Sequence, residues 1–126
     1  MSSIRSLDEL DIVATPAATM RTYAGSTTRP SADVAVWRSE LPVGTPGPVH
    51  VVDRDHVVVV LDGALHVEMD GETTVVPKGG AVVLVAGATR QLAAEGDGPA
   101  VTLTAARPGS QAMIGGGDPV EVPWAR

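Results

Sequence analysis

The chain has 126 residues, 44% of them hydrophobic and only 19% charged, which fits one domain with one core and excludes wholesale disorder. It has no cysteine, so disulfides and thiolate chemistry are excluded. The net charge of −6, with 9 Lys and Arg, leaves no electrostatic footprint for nucleic acid or an anionic membrane.

Asp8, Glu9 and Asp11 near the start are unlike a secretory leader, and the apolar runs Val57–Leu61 and Ala81–Ala88 are too short to span a bilayer. A cytoplasmic location is expected. Phe is absent, and Tyr23, Trp37 and Trp124 are the only aromatics. The core therefore falls to Val, Ala and Leu. Val-rich content with 14 Gly and 10 Pro points to an all-β fold.

In chain order, Ser6-Leu7-Asp8-Glu9 spells a capping box and predicts a short helix before Ile12. Residues 14–32, rich in Ala, Thr, Ser and Pro, read as an extended arm or loop. Asp33–Leu41 alternates as a strand, with Ala35, Trp37, Ser39 and Leu41 on one face. A Pro/Gly loop over Pro42–Pro48 precedes a short strand, His50–Val52. His56–Leu61 is apolar on both faces and reads as a central strand covered on both sides. Leu65, Val67 and Met69 alternate with His66 and Glu68. Asp70-Gly71 is a type I′ hairpin signal, and Glu72–Val76 returns. Further strands are expected at Ala81–Val85, Thr89–Ala93 and Ala100–Ala106, then a Gly-rich tail ending in Val120–Trp124. Short strands separated by turn chemistry predict a β-sandwich or barrel, and no alternating helices suggest a βαβ fold.

The stretch Gly44–Ala94 resembles the two motifs of the cupin superfamily, in the form of small single-domain bacterial members. The first family motif is Gly, five residues, His-x-His, three or four residues, Glu, six residues, Gly. Here Gly44, His50, Val52, His56 and Gly63 stand at those places. The second places Gly79, Val85, Gly87, Arg90 and Ala94 where the family has Gly, Pro, Gly, His and Asn. Fifteen residues separate Gly63 from Gly79, similar to the short spacer of small cupins.

The resemblance implies a jelly-roll barrel, a double-stranded β-helix, over residues 33–106. An N-terminal arm with a short helix, residues 1–32, precedes it and is a candidate for exchange within a dimer. A tail, residues 107–126, packs on the barrel. It also implies that His50, Val52, His56 and Arg90 converge on the interior. The ligand set departs from the family's three His and one Glu. Two imidazoles are a poor set, and an arginine repels a divalent ion. No cofactor is expected. His50 and His56 are the ligands in the alternative of a loosely held divalent metal.

Neutral imidazole suits general acid–base work near neutrality, and Arg90 suits clamping a carboxylate or an enolate oxygen. The catalytic candidates are thus His50, His56 and Arg90, with Val52, Val58, Trp37 and Arg90 contacting the ligand. The bland alternatives are a decayed site, an Arg90 tied to Asp53 or Asp55, and a Trp37 that only fills the core. Asp53 and Asp55 are also candidates to orient the two histidines, while His66 should face outside.

The expected function is an enzyme of lyase, isomerase or cyclase type. It would carry out isomerisation, dehydration, cyclisation or decarboxylation on a carbonyl- or carboxylate-bearing small molecule. The alternatives are a non-catalytic binding or sensing cupin and a vestigial scaffold. The expected partners are a small molecule and a second copy of the chain, since the outer face of His56–Leu61 needs cover.

Overall fold

The computed structural model describes residues 6–25 and 33–125. Leu7–Glu9 forms a single 3₁₀ turn, and the Ser6 side chain makes no capping bond. The capping box spelled by the sequence is therefore not made. Twelve strands follow among the described residues. Ile12–Thr15 (β1) and Ala18–Ala24 (β2) form a hairpin, and β2 pairs antiparallel with Ala35–Leu41 (β3) of the same chain.

That hairpin corrects the expectation of an unpaired arm from residue 14. The Thr15 hydroxyl accepts the Ala17 and Ala18 amides at 3.3 and 3.1 Å, closing the turn around Pro16. Met20, 3% exposed, anchors β2 in the core. The rest of the expected arm, residues 26–32, lies outside the described residues.

His50–Val52 (β4), His56–Asp62 (β5), Ala64–Met69 (β6), Glu72–Pro77 (β7) and Ala81–Leu84 (β8) come next. Thr89–Ala94 (β9), Ala100–Ala106 (β10), Gln111–Ile114 (β11) and Val120–Glu121 (β12) complete the set. They form two antiparallel six-stranded sheets, in the orders β1-β2-β3-β10-β5-β8 and β12-β11-β4-β9-β6-β7. Two facing sheets whose inner rows carry the buried side chains form the jelly-roll sandwich that the sequence predicts. Asp70 and Gly71 both have positive φ, 50° and 83°, as a type I′ turn requires. Among the described residues no helix is long and apolar enough to cross a membrane.

The side-chain period of two assigns each strand's faces. On β10, Ala100, Thr102, Thr104 and Ala106 point inward opposite Leu41, Ser39, Trp37 and Ala35 of β3. One core cluster includes Val58, Val60, Leu65, Val67 and Leu84, and a second includes Met20, Ala35, Trp37, Ala106 and Val122. The tail is part of the fabric, because β11 pairs with β4 and β12 pairs with β11. Ala125 is buried, and the Thr22 hydroxyl donates to the Trp124 carbonyl at 2.8 Å.

The expectation that β5 is covered on both faces does not hold within one chain. Val58 and Val60 are buried, but Val57 and Leu61 on the other face are 42% and 43% exposed, as is Val83 of the neighbouring β8 at 50%. The apolar pattern of β5 is thus only half used by the chain's own core.

Gly63 shows why a glycine ends β5. Its φ is +69°, and a Cβ there would stand 2.3 Å from the Pro99 carbonyl oxygen. Gly63→Ala is expected to cost more than about 2 kcal/mol by denaturant unfolding. Gly71→Ala, with positive φ but open space around it, is the control and should cost about 1 kcal/mol.

Candidate functional site

Arg90 lies on β9 directly opposite His50 on β4 and Met69 on β6. Residues opposite one another in an antiparallel ladder share a face, so Met69, Arg90 and His50 form one inward row across the second sheet, and Ile114, opposite His50, continues it to an exposed end. His56 faces this row from the start of β5. It is buried, with its ring edge against Trp37 at 5.1 Å between centroids and an interplanar angle of 80°. Val52 and Val58 are both inward and 2% exposed, one inner position along from His50 and His56. The fold thus brings His50, His56 and Arg90 into one electrostatic neighbourhood. Trp37 touches His56 while belonging to the core cluster beneath it.

Each group is held differently. His50 Nδ1 lies 2.8 Å from the Pro48 carbonyl oxygen. A carbonyl only accepts, so Nδ1 carries the hydrogen and Nε2 of the neutral ring keeps its lone pair. Burial lowers the His50 pKa, the Pro48 bond opposes this, and the Arg90 charge adds to the lowering. His56 Nε2 lies 3.0 Å from the Ser110 hydroxyl, and Ser110 is fully buried. Burial, then the charges of Arg90 and His50, push the His56 pKa down to about 4 against the weaker pull of Asp53 and Asp55. Its ring is neutral at pH 7.

Arg90 is 1% exposed. Its Nη2 donates to the Val85 carbonyl at 3.1 Å, while Nε and Nη1 are buried with no partner. Desolvation lowers its pKa, opposed by Asp55. The two acids suspected as its partners are engaged elsewhere. One oxygen of Asp55 accepts the Ala86 amide at 2.7 Å, and one oxygen of Asp53 accepts the Gln111 amide at 2.8 Å. Among the described residues Arg90 is in no ion pair. Both aspartates brace turns and act on His56 only through their charge.

His66 faces outward and lies 3.2 Å from Glu95. Gln91, on the opposite face from Arg90, donates to the Gly47 carbonyl at 3.0 Å, pinning the 42–49 loop against β9. A surface depression of about 240 Å³ is lined by Asp53, Arg54, Asp55, Ala86 and Arg107, and contains none of the three predicted residues. Of those three, His50 alone is partly exposed.

The donor set does not fit the divalent metal that the resemblance raises. The second ligand position is Val52 and the fourth is a guanidinium, which leaves two imidazoles. Among the described residues no group of three His, Cys, Asp or Glu could hold a metal ion. The arrangement instead offers a neutral imidazole with an open lone pair beside a buried cation that lacks a counter-ion.

Sequence reasoning missed Ser110. It sits in a Gly/Pro-flanked tail with no strand alternation, and only the pairing of β11 with β4 brings it beneath His56.

Comparison with known proteins agrees with the fold. The family model described as "Cupin domain" matches residues 37–106. No curated protein matches the chain. Among solved structures, a cupin 2 domain-containing protein from Halorhodospira halophila is 20% identical, with TM-score 0.68. That match covers 72% of this chain, and the chain spans only 64% of that protein's length. The polyketide cyclase RemF from Streptomyces resistomycificus is 21% identical, with TM-score 0.71, covering 87% of this chain and 84% of that one. A sugar phosphate isomerase from Silicibacter pomeroyi is 19% identical, with TM-score 0.69, covering 90% and 82%.

Proposed function

The chain belongs to the cupin family, and we propose that its interior performs acid–base chemistry on a small molecule bearing a carbonyl and a carboxylate. The observation that carries this reading is the pair His50 and Arg90, directly opposite each other on neighbouring strands. His50 has a free Nε2 lone pair, and Arg90 is a buried cation without a counter-charge. In this scheme the substrate oxygen sits on Arg90, and Nε2 of His50 takes a proton from the carbon beside the carbonyl. The C–H electron pair becomes the enolate, whose charge the guanidinium stabilises. Returning the proton to another atom gives isomerisation. Loss of a leaving hydroxide as water, or attack of the enolate on a second carbonyl, gives dehydration or cyclisation; in decarboxylation the pair of the C–CO₂ bond, not of the C–H bond, becomes the enolate as carbon dioxide leaves, and the carbon then takes up a proton.

His56, neutral at pH 7 and held by Ser110, serves as a hydrogen-bonding wall and not as the proton acceptor. The expected acid–base pair thus separates into one base and one fixed polar group. Val52 and Val58 supply the apolar lining. A likeness in fold to a polyketide cyclase and a sugar phosphate isomerase is compatible with proton transfer next to carbonyls.

The experiment is proton exchange in D₂O, followed by NMR on a panel of 2-oxo and 3-oxo acids. At least one member should exchange its α-hydrogens faster than in buffer, and His50→Ala should reduce that rate by about 100-fold or more. Exchange that never exceeds the buffer rate, with binding intact, would favour the sensing or sequestering alternative.

The second proposal concerns assembly. The exposed row of Val57, Val83 and Leu61 needs cover, and a second copy of the chain is the proposed cover. Light scattering at micromolar concentration should give twice the monomer mass, and a monomer would refute it.

A further inference from the structure

We propose that Gln91 is a positioning residue for the base of this interior: by holding Gly47 it places the Pro48 carbonyl that fixes the His50 hydrogen on Nδ1 and keeps Nε2 open. The inference rests on the functional reading of His50 and adds to it a residue that never meets the substrate.

The chain of contacts is short. Successive residues of β9 face opposite ways, Arg90 inward and Gln91 outward beside the exposed Glu68. Gln91 Nε2 donates to the Gly47 carbonyl at 3.0 Å, and the Gly47 amide donates to the Leu92 carbonyl at 2.9 Å. Gly47 is therefore held at both its amide and its carbonyl by neighbouring residues of β9. Packing does not fix the rest of the loop, where Pro42, Val43, Pro46, Pro48 and Val49 are exposed.

The hold on Gly47 reaches Pro48 because of the residue type that follows. The Gly47 carbonyl and the Pro48 nitrogen share one planar peptide unit, so a bond to that oxygen fixes the plane. The proline ring then sets φ of Pro48 at about −65°, which removes one of the two dihedrals that could swing its own carbonyl. From the other side, His50 is fixed in β4 by its pairing with Arg90 and Ile114. The Pro48 carbonyl is thus set between two anchors, 2.8 Å from Nδ1 of His50.

What this serves is the tautomer. A neutral imidazole carries one ring hydrogen, and the acceptor that one nitrogen faces decides where it sits. Free neutral histidine favours the hydrogen on Nε2. In this interior that form puts a donor where proton abstraction needs a lone pair. One residue of β9 thus supplies the anion clamp, and the next one orients the base.

The test reads the tautomer itself, without substrate. In protein labelled with ¹⁵N-histidine, at pH 8 where the ring is neutral, the parent should show His50 Nδ1 as a protonated nitrogen and Nε2 as an unprotonated one. Gln91→Leu keeps the bulk and removes the donor. The ratio of the Nδ1–H form to the Nε2–H form should fall by about fivefold or more, the worth of one net hydrogen bond, while the His56 signals stay in place. Where an oxo acid exchanges its α-hydrogens, the rate should fall with the Nδ1–H fraction. An unchanged ratio in folded Gln91→Leu would overturn the positioning role and leave the proton-transfer reading standing. A shifted ratio, with no α-hydrogen exchange above the buffer rate even in the parent, would support the hold on the tautomer and overturn the proton-transfer reading. Should Gln91→Leu fail to fold, Gln91→Asn, whose amide stops one methylene short of Gly47, gives the same readout.

Discussion

Between pH 6.5 and pH 4 the protein is expected to lose about 3 kcal/mol of folding stability through His56 alone. The sign follows from where the proton goes. In the unfolded chain the imidazole titrates near 6.5, but in the folded protein it resists protonation until about pH 4. Across that window the unfolded state binds more protons, so stability rises with pH. The contribution is complete above 6.5 and gone below 4. His50, whose pKa burial also lowers, acts in the same direction. Urea unfolding at several pH values, for the parent and for His56→Gln, isolates the effect from the carboxylates, which are common to both. The difference between the two curves should slope only within this window. A difference that is flat from pH 7 to 4 would show that the ring is not held neutral by its surroundings.

Arg90→Met is expected to make the protein more stable and unable to bind anionic ligands. Arg90 is almost completely buried, carries a permanent charge, and leaves two of its three nitrogens without partners. Taking such a group out of water is costly, and no carboxylate in the described residues returns the cost as an ion pair. Methionine fills similar space without charge. The Val85 carbonyl keeps a partner, since it also accepts the Ala88 amide at 3.2 Å. The substitution should raise the unfolding free energy by about 1–4 kcal/mol. Affinity for a carboxylate ligand should fall by about 10- to 100-fold, the worth of a charge-assisted hydrogen bond. Denaturant unfolding and ligand titration on the same sample read both quantities. A destabilised variant would mean that Arg90 is structural. Retention of binding would mean that the anion sits elsewhere. A residue that weakens the fold while completing a pocket is the expected signature of a functional site.

The central strands were legible because Val-rich alternation, Asp-Gly turns and evenly placed glycines all point to the same pleated units. β4, β6 and β10 carry their inner residues where parity puts them. The convergence of His50 and Arg90 was legible only through the resemblance, because no local pattern relates residues forty positions apart. β1 and β2 were obscured because Ala and Thr suit loops and strands alike, and a serine-threonine turn around Pro16 does the work usually signalled by glycine. Ser110 was hidden for a different reason. Its role is defined by burial beneath His56, a tertiary fact without a sequence period. The outer face of β5 is open within one chain because hydrophobicity records that a surface wants cover, but not which chain provides it.

The placement of Ser110 and Trp124 bears on how the molecule matures. His56 leaves the ribosome 54 residues ahead of the hydroxyl that holds it, and Thr22 emerges 102 residues before the carbonyl it bonds. A nascent chain that has made every strand through β10 has the Pro48 carbonyl for His50 but still lacks the hydroxyl that holds His56. The surroundings of His56 are thus completed only after β10 has been made, by the segment least conspicuous in the sequence.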